Sequence, residues 1–193
     1  MGRLMNVRRL HAPLLTLVTV LAVGLGPAAA GPAPIEDYPS YQPASRCAAK
    51  SKPGTVALGR WVVRKYGGGF GGVLRRCHGR GSSEHNEGRA FDWTVSVTNR
   101  ADRQRVRALL DDLFATDRAG NEHARARRMG IMYVIWNDEI YSAWDRYDPE
   151  PYLSSGCRRV RTCSPTLRHR DHVHISLTRR AARGETTWFS SRR

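Results

Sequence analysis

The stretch Ser83-Glu84-His85-Asn86-Glu87-Gly88-Arg89-Ala90-Phe91-Asp92 sets an imidazole and a carboxylate seven residues apart, with a glycine between them. Far downstream, His169-Arg170-Asp171-His172-Val173-His174 supplies more groups of the same kind. Two nitrogens and one oxygen, from His85, Asp92 and His174, could hold a zinc ion (Zn2+) and leave a fourth position to water. Three protein ligands and an open site mark catalytic rather than structural zinc. Neutral imidazole and ionised carboxylate are the default states near neutral pH. Such an ion brings the pKa of its water towards neutrality and polarises a carbonyl. A hydrolase built this way also needs a base to move the water's proton to the leaving amine. Asp171 is the nearest carboxylate in sequence to His174, with Glu84 and Glu87 in reserve. His172 shares a strand face with His174 and could steady an oxyanion. His78 and His169 are expected at the surface or in support of the ligands.

These residues need two strands and a turn to meet. Phe91, Trp93, Val95 and Val97 alternate with Asp92, Thr94 and Ser96, which predicts a half-buried strand with Asp92 on its polar face. Val173, Ile175 and Leu177 alternate in the same way with His172, His174 and Ser176. If the two strands are near neighbours in one sheet, Asp92 and His174 look into one cleft. The turn over residues 85–88 brings His85 to them.

The remaining chain reads as scaffold. A helix is expected over 53–66, with proline in its first turn and Gly67-Gly68-Gly69 as its stop. The glycine run 67–72 lacks the Gly-Lys-Ser/Thr ending of a phosphate loop, so it is expected to be a turn that lets backbone approach a neighbour. Asn99 caps a helix whose Val106, Leu109, Leu110, Leu113 and Phe114 share one face. A shorter, arginine-bearing helix over about 121–129 ends at Gly130. Residues 131–136 and 140–144 form a hairpin around 137–139, residues 145–164 a loop, and 172–177 the last strand. The Trp188-Phe189 pair is expected to dock on the core rather than stay in water.

Residues 1–30 read as a secretory signal peptide. Arg3, Arg8 and Arg9 precede an apolar run from Leu14 to Leu25 and the small residues Ala28-Ala29-Ala30, too short a pattern for a membrane span. An extended leader over 31–52 and a single domain over 53–193 would come next. The chain carries a net charge of +15. Such a surface attracts polyanions, anionic cell-wall polymers among them. The arginines of the helix over 121–129 have no interleaved aromatics, so no nucleic acid is expected. Cys47, Cys77, Cys157 and Cys163 form an even set with no C-x-x-C pair, which in an exported chain reads as two disulfides. Three pairings are open; Cys47–Cys77 ties the leader to the core and Cys157–Cys163 closes a short loop, and this pairing is preferred.

The pattern Ser83-x-His85-x-x-Gly88-x-Ala90-x-Asp92 with the later His172-x-His174 resembles zinc D-alanyl-D-alanine peptidases and the Hedgehog-type fold. Tyr133-Val134-Ile135-Trp136-Asn137 and Asp171-His172-Val173-His174-Ile175-Ser176 are similar to secreted actinobacterial extensin-like, peptidase-related proteins. The resemblance implies an α+β fold, an antiparallel sheet with flanking helices and a zinc cleft. It implies His85, Asp92 and His174 as metal ligands, Asp171 as catalytic base and His172 beside the reacting carbonyl. Relatives grip substrate with an upstream arginine; Arg75 or Arg76 fills that role, and Ser83 joins them in the substrate-binding set.

The expected function is therefore that of a secreted zinc metallopeptidase acting on peptidoglycan peptides, as carboxypeptidase or endopeptidase. Two rivals stand beside it: a non-catalytic wall-binding module containing zinc and, ranked last, a secreted metal-dependent nuclease, suggested by the basic charge and the His85-Asn86 pair, which would need phosphate-gripping residues and usually magnesium.

Overall fold

In the computed structural model the described residues are 1–2, 35–77 and 83–191. The chain divides into two units, Met1–Gly31 and Pro32–Arg193. The first, with the expected signal peptide, lies almost wholly outside the described residues, as does His78. Among the described residues, every helix and strand belongs to the second unit.

The elements in chain order are α1 (Pro53–Tyr66), β1 (Gly69–Phe70), β2 (Ala90–Thr94), α2 (Arg100–Phe114), α3 (Ala124–Met129), β3 (Ile131–Trp136), β4 (Glu139–Ser142), β5 (Pro149–Pro151), β6 (His172–Leu177), α4 (Arg179–Arg183) and α5 (Thr187–Ser190). A 3-10 turn over Glu84–Glu87 precedes β2. The six strands form one sheet in the order β1-β2-β6-β3-β4-β5, with every neighbouring pair antiparallel. The expected α+β class is observed.

The alternation read from the sequence decides what each face of the sheet carries. Phe91, Trp93, Val134, Val173, Ile175 and Leu177 are fully buried in one cluster with Leu58 and Val62 of α1 and Val106, Leu109 and Leu113 of α2. The residues between them, Asp92, His174, Ser176 and Tyr133, belong to the opposite face. There Met132, Tyr133 and Ile135 form a smaller cluster of their own. One face is thus a helix-covered core, and the other is free to do chemistry.

Several local causes shift the expected boundaries. β2 ends at Thr94 rather than near Val97, because the Asp102 carboxylate accepts the Ser96 N–H at 3.0 Å and Asn99 N–H bonds back to Ser96 O at 3.1 Å. The arginine-bearing helix starts at Ala124 rather than Asn121: Asp117 Oδ1 accepts the N–H groups of Ala119 and Asn121, which holds that segment in a turn. The β3–β4 hairpin is tighter than expected. Asn137 and Asp138 both take positive φ, at 50° and 68°, the conformation of a two-residue loop that matches strand twist. β5 was not expected at all; Pro149 and Pro151 sit on the sheet's edge, where a missing N–H costs no ladder bond.

The glycine run brings backbone close to a neighbour as expected, but Gly69–Phe70 form the short edge strand β1 rather than a turn. At Gly68, with φ of 77°, a Cβ would lie 2.5 Å from Trp93 Nε1, and that indole donates to Gly67 O at 2.9 Å. The tail docks: Trp188 is buried and meets Trp61 edge-on at 5.7 Å. Both preferred disulfides are present, Cys47–Cys77 and Cys157–Cys163, as suits folding in an oxidising compartment. Among the described residues no helix is long and apolar enough to cross a membrane. Residues 35–52 run extended over the domain, pinned by Glu36 to the Thr187 amide, Tyr38 to His123 and Ser45 to Glu87.

Candidate metal centre

The register of β2 against β6 places Asp92 directly opposite His174. His85 arrives from the 3-10 turn, whose ends the sequence fixes. Ser83 caps its start, with its Oγ accepting the His85 amide and Asn86 Oδ1 accepting the Ser83 amide at 2.8 Å. Gly88 closes it at φ 68°, donating its N–H to His85 O. His85 Nε2 then lies 3.1 Å from Asp92 Oδ1 and 3.1 Å from His174 Nδ1, while His174 Nδ1 is 3.2 Å from Asp92 Oδ1. Three potential ligand atoms form a nearly equilateral triangle, and the group could hold a metal ion.

The outer ring nitrogens are already committed. His85 Nδ1 faces the carbonyl of Val73 at 3.0 Å. A carbonyl only accepts, so the proton belongs on Nδ1, and Nε2 turns a lone pair towards the triangle. His174 Nε2 is 2.8 Å from Ser176 Oγ, which leaves its Nδ1 free in the same sense. Two lone pairs and a carboxylate oxygen this close repel one another unless a proton or a cation lies among them. Metal-binding histidines are oriented by such outer partners. Burial pushes the Asp92 carboxyl up, but the His174 and His85 rings outweigh it and hold it well below the usual carboxylate range. Burial lowers the His174 imidazole, opposed by Asp92. The Asp92 oxygen is therefore favoured as an anion at the centre of the group.

His172 stands beside the triangle, with Nε2 3.7 Å from Asp92 Oδ1, and that nitrogen is buried without a hydrogen-bond partner among the described residues. Its Nδ1 is 2.7 Å from Asp171 Oδ1, and Asp171 Oδ2 accepts the Thr166 hydroxyl. Asp171, one residue before β6, is exposed and bonded to the outer side of the His172 ring. Strand alternation keeps it off the face that His174 uses, so its carboxylate meets the site through His172.

The expected substrate set separates. Arg75 Nη2 lies 3.6 Å from Asp92 Oδ2, and its side chain is 56% exposed, so it borders the cleft from solvent. Arg76 shows no side-chain bond to the triangle; its carbonyl accepts from Asn86. Ser83 uses its hydroxyl as a helix cap, a structural task. The reserve bases are engaged as well. Glu87 accepts from the Ser45 and Arg46 amides and from Arg89 and Arg179, and Glu84 Oε2 accepts the Tyr133 hydroxyl at 2.6 Å.

Two further neighbours border the triangle. His169, expected only at the surface or in support, is buried, with its ring 4.8 Å from His172 and 5.7 Å from His174. Burial, reinforced by the other two imidazoles, pushes it down to about 3. It sits at φ 51°, outside any strand, so no periodicity could announce its direction. Tyr133 stacks on His174 with centroids 5.5 Å apart and planes at 20°. Its signal was present: it alternates with the core residue Val134 and so belongs to the site face. Beyond it, the half-exposed Tyr41 and Trp144 continue the aromatic wall, 5.6 Å apart.

No curated protein and no solved structure matches the chain. One family does, described as VldE, C-terminal domain, over residues 47–158. That span holds His85 and Asp92 and ends before the strand that carries His172 and His174. The match covers more than half of the chain, which belongs to the VldE C-terminal domain family.

Proposed function

We propose that this chain is a secreted zinc metallopeptidase that hydrolyses an amide bond in the peptide part of bacterial cell wall, as carboxypeptidase or endopeptidase. The observation that carries the reading is the triangle of His85 Nε2, Asp92 Oδ1 and His174 Nδ1, with both outer ring nitrogens engaged. Zinc bonds of about 2.0–2.2 Å give a tetrahedral face with edges of about 3.3–3.5 Å. The observed edges of 3.1–3.2 Å are close to that size. The two-histidine, one-carboxylate donor set also suits zinc. The wall-peptide substrate rests on the resemblance of the Ser83–Asp92 and His172–His174 motifs to zinc D-alanyl-D-alanine peptidases.

Bound at His85, Asp92 and His174, zinc would supply Lewis acidity and a water acidic enough to ionise near neutral pH. The chain's own residues do the rest. Asp171 holds the Nδ1–H of His172, which leaves Nε2 facing the site as a proton acceptor. His172 then takes a proton at Nε2 and returns it to the leaving amine, the pairing of base and orienting carboxylate that general acid–base catalysis requires. This moves the base from Asp171, expected from position alone, to its ring partner. Arg75 offers a guanidinium at the cleft's open side, suited to a substrate carboxylate.

The test pairs metal analysis with cleavage. The full-length exported protein should carry about one zinc per chain, lost in His174→Ala, and should release products from purified peptidoglycan that a chelator suppresses. Zinc without cleavage would refute the peptidase and leave a wall-binding module. A folded protein without zinc would remove the metal reading itself.

A further inference from the structure

Apart from the metal centre, a cavity of about 180 Å3 opens between residues 46–52, the 3-10 turn and α4. Its charged lining is Arg46, Lys52, Arg89, Arg179 and Arg183 around the single carboxylate of Glu87. Three of the five cations are matched. Arg89 pairs with Glu87 and lies 3.7 Å from Glu84, Arg179 pairs with Glu87 at 3.1 Å, and Arg183 makes a fork with Glu185 at 2.7 Å. Glu87 itself is saturated by donors from Ser45, Arg46, Arg89 and Arg179.

The side chains of Arg46 and Lys52 have no hydrogen bond or ion pair among the described residues. The remaining residues, 3–34, 78–82, 192 and 193, contain no aspartate or glutamate to match them. Two cations, Arg46 exposed and Lys52 half-buried, thus border one concavity with no carboxylate paired to them among the described residues. The Cys47–Cys77 disulfide and the bonds from Ala48 N to Asn86 O and Lys52 N to Gly88 O fix this wall to the domain.

We propose that this cavity is a binding site for a small phosphate monoester. Two unmatched positive charges suit a group carrying nearly two negative ones, which a phosphate monoester does near neutral pH and a carboxylate does not. Arginine forks and a lysine point charge are the ordinary means of holding phosphate. The volume sets the scale: a cavity of about 150 Å3 admits one benzene ring, so one of about 180 Å3 seats a phosphate with a short substituent. Glu87 lies in the same 3-10 turn as His85, so the turn serves both places. The proposal does not depend on the peptidase reading.

Glycerol 3-phosphate titrated into the isotope-labelled full-length protein, at fixed ionic strength, is the test. Saturable shifts should appear at the amides of Ala48, Lys52 and Ala182. Arg46→Ala with Lys52→Ala should weaken binding at least tenfold. Arg103→Ala with Arg107→Ala, which removes the same charge from α2, should change it less than twofold. Shifts confined to Val173–Ser176 would mean that the metal centre holds the phosphate, and would overturn the proposal. So would the absence of saturation, or equal weakening by both pairs, which is long-range attraction alone. Should the first pair fail to fold, Lys52→Gln carries the same comparison.

Discussion

Replacing Ser176 by alanine tests the metal centre without touching a ligand. Ser176 is fully buried, and its Oγ lies 2.8 Å from His174 Nε2. Its removal leaves the Nε2–H of His174 buried and unpaired whenever Nδ1 faces the triangle. An unsatisfied buried donor costs about 1–3 kcal/mol. The apo ring can escape by moving its proton to Nδ1, next to Asp92 Oδ1 at 3.2 Å, but the metal-bound ring cannot. The whole cost therefore falls on the bound state. At 1.4 kcal/mol per tenfold, zinc affinity should fall by about 5- to 150-fold, a span that contains the roughly 10- to 100-fold losses typical of such outer partners. Competition against a chromophoric chelator at constant pH measures it, with Thr94→Ala on exposed β2 surface as the control, expected within twofold of wild type. An affinity for Ser176→Ala also within twofold would refute the reasoning, because His174 would then not be held through Nε2.

Asp171→Asn should lower peptidoglycan cleavage about 100-fold or more with zinc content unchanged, since the amide no longer fixes the His172 tautomer; lost zinc, or undiminished kcat, would contradict the assigned pairing. Removing Cys47–Cys77, with a sequence separation of 30, should cost more stability than removing Cys157–Cys163, with a separation of 6. Loop entropy gives about 4 against about 2 kcal/mol, to be read from denaturant midpoints of the paired alanine variants. Glu87 is raised by burial but lowered further by the Ser45 amide and by Arg89 and Arg179, to about 2. Its stabilisation is complete above the ordinary carboxylate pKa and is lost as pH falls through about 2. Glu87→Gln should therefore flatten the acid loss of the urea midpoint in that window; an unchanged slope would remove Glu87 as its cause.

The parts legible in the sequence are those set by short periods. Period-two alternation in residues 91–97 and 172–177 put Asp92 and His174 on polar faces, and the sheet register then joined them. Glycine, proline and Asn99 marked the helix ends by local backbone chemistry alone. What sequence hid depends on side chains crossing the fold. Ser83 looks like a substrate contact until its hydroxyl is seen capping the turn, and Arg75 differs from Arg76 only by which side chain borders Asp92. Asp171 shows the same limit: its place along the chain and the resemblance suggest a base, and only the structure shows its carboxylate on the His172 ring. His169 reaches the cluster from an irregular loop, where no period applies.

The position of β6 in the sheet, between β2 and β3, ties the site to the last stage of chain assembly. Neither neighbour precedes it directly in sequence: β2 ends at Thr94 and β3 at Trp136, whereas β6 starts at His172. Until that strand inserts, β2 and β3 both expose unpaired backbone edges, and His85 and Asp92 lack the third member of their triangle. Pairing over such separations forms slowly, and open edges invite association with other chains. A polypeptide stopped before His172 should therefore be both metal-poor and prone to aggregate. Zinc uptake would serve as a readout that the central strand has closed the sheet.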